Sequence, residues 1–217
     1  MSPKIFRRCV PRHTVHSTFV YLNPTGSGVW LFLLTPDQHL PDSKMGTAGL
    51  IGYIIDGKYV GGSFNTFDSN IRRLGKVIME FLMNLSEAEK KRFLARLKEI
   101  IWVQADDIPS LALQRRYAHF AQLDEYKPKR FDPLDWEWLL RPVAYGRSFP
   151  LILNGQLHHL VRSPGYDTEY EYYIDMEKEV LWIQGNLGDI DVKVPFADFR
   201  EGLMDEIARD CEGQDND

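Results

Sequence analysis

Apolar and polar positions divide this chain into a weakly patterned start, a central block with helical period and a final third that alternates like β-strands. From Gly49 to Ile55 the residues are apolar and β-prone, and after Asp56-Gly57 the run Lys58 to Phe64 repeats that character. Asp-Gly between two such runs predicts a hairpin, because a type I′ turn needs positive φ at both central residues. The expected strands cover about 49 to 55 and 58 to 64, and Gly61-Gly62 weakens the second or marks a bulge.

After a polar connection, Leu74, Val77, Ile78, Phe81 and Leu82 recur on one face of a helix that should pack on the hairpin. Ser86 and Glu89 form a capping box for a second helix carrying Phe93, Leu97, Ile100 and Ile101. A third helix is expected from near Pro109, with Leu113, Tyr117, Phe120 and Ala121 inward. Asp132-Pro133 supplies an N-cap and first-turn proline for a short helix through Leu140. Tyr170, Tyr172 and Ile174 then alternate with polar neighbours, Val180 to Gln184 follows a turn, and Ile190, Val192 and Val194 alternate as cleanly. These predict an antiparallel meander with one wet face. Phe196, Phe199, Leu203 and Ile207 indicate a last amphipathic helix.

The expected fold class is therefore α+β: an N-terminal β-hairpin and C-terminal antiparallel strands packed with several amphipathic helices. Residues 1–44 read as a poorly patterned basic extension, 45–210 as a single α+β domain and 211–217 as an acidic tail. At 217 residues one domain can bury a core without staples. The longest apolar run, Val29 to Leu34, is far too short to span a bilayer, so no membrane role is expected.

Charge sharpens this division. Residues 1–44 hold five basic and two acidic side chains, and the remainder holds 21 basic against 29 acidic. An acidic body argues against nucleic acid as a partner, since phosphate affinity rests on Lys and Arg. Arg7, Arg8 and Arg12 with no acid before Asp37 have the composition of a mitochondrial presequence, but Pro3 and Pro11 interrupt the helix such a signal needs. Cys9 and Cys211 stand near opposite ends without Cys-x-x-Cys spacing, which indicates neither a disulfide framework nor a zinc knuckle. A reducing, cytoplasmic compartment is expected, with a mitochondrial one as the alternative.

Chemistry concentrates in the connection from Phe64 to Asn70, where Asn65, Asp68 and Ser69 stand between a strand and a helix N-terminus. Exposed N–H groups there would hold an anion, although Asp, Ser and Asn also cap helices and build turns. His158-His159 would point to opposite faces of a strand and so would not chelate one metal. Thr25-Gly26-Ser27-Gly28 lacks the ending of a P-loop, Asp106-Asp107 reads as a helix cap, and Lys127, Lys129 and Arg130 as a solvated basic patch. Trp136, Trp138 and Trp182 are candidates for core, for an aromatic pocket or for an interface, and the edges of the tyrosine-rich hairpin for pairing with a partner strand. No metal and no cofactor is expected.

Met45-Gly46-Thr47-Ala48-Gly49, the hairpin, Asn65-x-Phe67-Asp68-Ser69 and Leu74-Gly75 together resemble an uncharacterised family of bacterial and fungal proteins. Its members open with Met-Gly-Thr-Arg-Gly and carry Tyr-Asn-His-Phe-Asp-Ser-Tyr-Pro, then Leu-Gly entering a helix. The likeness spans roughly residues 45 to 184, including the Tyr170 to Asp175 strand. This chain departs from the pattern where Ala48 replaces the arginine, Thr66 the histidine and Asn70-Ile71 the Tyr-Pro. Those losses imply a noncatalytic binding or regulatory domain whose partner is an unidentified protein or small molecule. The alternative is a small hydrolase related to N-terminal nucleophile enzymes, with Thr47, freed by cleavage after Gly46, or Ser69 as nucleophile. The candidate ligand-binding residues are Thr47, Asn65, Asp68 and Ser69.

Overall fold

The computed structural model describes residues 47–65, 67–121, 135–143, 146–162, 168–185 and 190–212. The hairpin forms as its turn chemistry dictates. Strand β1 (Gly49–Ile55) pairs antiparallel with β2 (Lys58–Asn65), and Asp56 and Gly57 take φ of 51° and 70° at the turn. Tyr53 faces Gly61 while Ile54 faces Tyr59, so Val60 is the extra residue of a bulge.

A wide turn, Ile71–Gly75, leads into helix α1 (Lys76–Met83), and Ser86 with Glu89 closes the expected capping box on α2 (Glu87–Glu99). That helix ends sooner than its periodicity suggested. Ile100 turns extended, with ψ of 130°, and Ile101 opens strand β3 (Ile101–Val103) with its side chain in solvent. β-Branched residues favour the strand, and the Ile101 N–H finds the carbonyl of His158 at 2.8 Å. Helices α3 (Leu111–Ala121) and α4 (Trp136–Leu140) follow, α4 capped by Asp135. Helix α5 (Ser148–Leu153) and strand β4 (His159–Val161), which pairs parallel with β3, have no counterpart in the sequence expectations because each is too short to show a period.

Strands β5 (Tyr170–Asp175), β6 (Val180–Gly185) and β7 (Asp191–Pro195) form the antiparallel meander. The meander and the hairpin are one sheet, ordered β2-β1-β5-β6-β7, joined by parallel pairing of β1 with β5. The nearly continuous apolar run of β1 suits this interior place better than an edge. Ile51, Tyr53, Tyr172, Ile174, Leu181, Ile183, Val192 and Val194 are fully buried on one face. They share a single core with Ile78, Phe93, Leu139, Phe149 and Leu203 from the helices. The tyrosine-rich hairpin is thus interior, and the expectation that its edges recruit a partner strand is corrected: both its strands are already paired on either side, and among the described residues the sheet ends at β2 and β7.

Helix α6 (Leu203–Glu212) runs slightly past the limit expected for the domain, and its Cys211 is buried. No helix among the described residues is long and apolar enough to cross a membrane. The basic extension 1–44, Met45-Gly46, the 25–28 loop, Thr66, the patch at Lys127, Lys129 and Arg130, Asp132-Pro133 and the tail beyond 212 lie outside the described residues.

Candidate functional site

The connection between β2 and the turn before α1 folds back on the residue that precedes β1. Ser69 N–H points at Thr47, 3.1 Å from its Oγ1 and 3.3 Å from its carbonyl. Asn65 Nδ2 donates to Ser69 Oγ at 2.6 Å and to the Phe67 carbonyl at 2.7 Å. Because a carbonyl only accepts, the bond to Phe67 fixes which end of the amide faces inward. Ser69 Oγ in turn donates to the Asn65 carbonyl at 3.3 Å, closing a small ring of hydrogen bonds. Asn65 Oδ1 is buried with no hydrogen-bond partner among the described residues.

Three of the four candidate residues are therefore brought together, and all three are inaccessible: Thr47 is 3% exposed, Asn65 2% and Ser69 0%. Asp68 stands at the rim, partly exposed, with φ of 52°. An Asp tolerates that left-handed geometry better than most residues, and it lets the chain reverse so that Ser69 returns to Thr47. Asn70, next along, accepts from Arg73 N–H at 3.0 Å and caps the turn into α1. The capping function foreseen for this stretch belongs to Asn70.

Tyr172 completes the cluster from 103 residues away, its hydroxyl donating to the Ser69 carbonyl at 2.6 Å. Burial holds this phenol well above its ordinary pKa, so it remains a donor. Alternation marks Tyr172 as a core residue, but no local signal announces the tie, since its partner is supplied by the parallel β1–β5 pairing. Gly49 has a similar role by omission: a Cβ there would lie 2.5 Å from Ser69 Cβ and 3.0 Å from the Tyr170 carbonyl.

The two histidines separate, as their spacing predicts. His159 is buried, stacked on Trp136 with ring centroids 4.7 Å apart, and its Nδ1 lies 2.8 Å from the Tyr117 hydroxyl. That hydroxyl also accepts from His158 N–H at 3.4 Å, which ties α3 to the start of β4. Burial, then the nearby Arg116 charge, depress the His159 pKa. No group of three or more His, Cys, Asp or Glu among the described residues is placed to hold a metal ion. Asp106 and Asp107 lie in the loop before α3, where the Asp107 carbonyl receives Trp136 N–H at 3.2 Å.

Trp136 and Trp182 have different surroundings. Trp136 is core, whereas Trp182 faces outward on β6 in an aromatic row with Tyr173 and Tyr59. Comparison with protein-family models, with curated proteins and with solved structures returns no match.

Proposed function

We propose that this chain is a noncatalytic binding or accessory domain in which Thr47, Asn65 and Ser69 build the fold. The observation that supports it is the burial of both candidate nucleophiles, each engaged in hydrogen bonds to neighbours within the same cluster. A nucleophilic hydroxyl needs a base within hydrogen-bond reach and an open approach for the substrate carbonyl. The nearest partners of Ser69 Oγ are an amide nitrogen and a backbone carbonyl, neither of which is a base at neutral pH. The losses at Ala48 and Thr66 relative to the family pattern point the same way.

One observation favours the hydrolase reading: the unpartnered, buried Asn65 Oδ1 is an acceptor in the same cluster as Thr47, where cleavage after Gly46 would place a new α-amine. Intact mass of the native protein, before and after treatment with a fluorophosphonate probe, decides between the two. The binding reading expects no adduct and no species beginning at Thr47. An adduct on Ser69 or Thr47, or a mature chain starting at Thr47, overturns it.

A further inference from the structure

We infer that the outward face of the sheet is a docking surface for a lysine- or arginine-rich peptide segment of a partner protein, with the Trp182 ring as the seat of one cation. The inference rests on the binding-domain reading above and names the partner chemistry for it. Strand register sets Gly62, Gly52, Tyr173, Trp182 and Lys193 in one row across the sheet, on the face opposite the helical core. A Cβ at Gly52 would stand 2.8 Å from the Tyr173 ring and 2.9 Å from the Tyr59 ring. The rings therefore spread across the strand, and Tyr59, Tyr173 and Trp182 form a continuous run with centroid spacings of 5.7 and 5.4 Å.

The run already holds a cation. Lys193 Nζ sits 4.3 Å from the Trp182 ring centroid, and its side chain is exposed and so readily displaced. Carboxylates stand beside the rings: Tyr173 donates its hydroxyl to Glu171 at 2.6 Å, and the Trp182 indole N–H goes to Asp191 at 2.6 Å. These bonds hold the rings in place and put negative charge at their edges, leaving the faces open to a cation. Exposed Glu169 precedes the same strand, within a body that carries 29 acidic against 21 basic residues. Phosphate-bearing partners are repelled by this charge, and a purely apolar segment would strip water from the carboxylates without pairing them. A peptide with closely spaced Lys or Arg satisfies both the rings and the carboxylates.

The test is anisotropy of a fluorescent hexa-arginine peptide titrated with the full chain at low salt, with hexaglutamate as control. Saturable binding of hexa-arginine alone is expected, weakened about fivefold or more by Trp182→Leu, which leaves net charge unchanged, and largely restored by Trp182→Phe. Equal binding by wild type and Trp182→Leu means attraction by net charge alone and overturns the proposal, as does absence of saturable binding. Two further results overturn it by naming another occupant. One is a gain in affinity on Arg7, Arg8 and Arg12→Gln that Trp182→Leu abolishes, which assigns the face to the chain's own basic segment. The other is self-association that Trp182→Leu abolishes, which assigns it to a second copy. A fluorophosphonate adduct with Trp182-dependent binding intact would sink the noncatalytic reading and leave the surface standing. A clean mass with Trp182-independent binding would do the reverse.

Discussion

Asn65 and Ser69 stand four residues apart and hold each other twice, amide to hydroxyl at 2.6 Å and hydroxyl to carbonyl at 3.3 Å, out of reach of solvent. The pair converts the polar end of a hairpin into an anchored corner, because Ser69 also donates its N–H to Thr47 on one side and accepts from the Tyr172 hydroxyl on the other. Removing one member leaves buried partners unpaired. Ser69→Ala is expected to lower unfolding free energy by about 1–3 kcal/mol in urea titrations. Asn65→Asp should cost more than Asn65→Ala, since it turns a carboxylate oxygen toward the Phe67 carbonyl. The opposite order would show that the amide is not oriented as described.

Gly49→Ala tests the same corner by space. The new methyl would meet Ser69 Cβ at 2.5 Å and the Tyr170 backbone at 3.0 Å, and neither is the far end of a flexible side chain. A loss of about 1–3 kcal/mol is expected, as for overpacked cores. The double variant Gly49→Ala with Ser69→Gly should recover part of the stability by removing the atoms in conflict. Strict additivity in a double-mutant cycle would sink the contact.

Elements with a clear period or a clear turn were legible in the sequence. Asp56-Gly57 fixed the hairpin register through its own backbone preference, and Ser86 with Glu89 fixed the start of α2. Long-range pairing was not legible. Nothing local in Gly49–Ile55 names Tyr170–Asp175 as its parallel neighbour across more than a hundred residues, yet that pairing delivers Tyr172 to Ser69. The candidate cluster was found for its residue types, and its burial was missed for the same reason. Asn, Ser and Thr read as surface groups until the tertiary fold pairs them with one another.

Burial of His159, with the Arg116 charge nearby, gives stability a pH dependence with a definite sign. The folded state depresses the His159 pKa, so the native imidazole is neutral where an unfolded one has begun to protonate. Its contribution is complete above the unfolded value near 6.5 and is lost as pH falls from there through the folded pKa. Urea midpoints should therefore drop between pH 7.5 and 5 in the wild type, by less in His159→Asn. Tyr117→Phe should be destabilised at both pH values, because it also strips His158 N–H of its acceptor. An equal pH slope in wild type and His159→Asn would assign the effect to other groups.

Among the described residues β7 is an edge of the sheet, and that margin carries the last expectation. Val192 and Val194 point into the core, while Asp191 and Lys193 point outward and Pro195 ends the strand. An edge strand offers unpaired backbone groups to any other strand, and outward charge with a terminal proline is how such an edge stays unpaired. Replacing Lys193 with Val and Pro195 with Thr leaves the buried face unchanged and creates a β-branched run from Val192 to position 195. The double variant should self-associate in sedimentation velocity at concentrations where the wild type does not, with unchanged fluorescence of the buried core tryptophan. If it sediments like the wild type, this edge is protected by something other than Lys193 and Pro195. Lys193 would then have no task beyond resting on the Trp182 ring, and Lys193→Val alone should strengthen hexa-arginine binding without changing sedimentation.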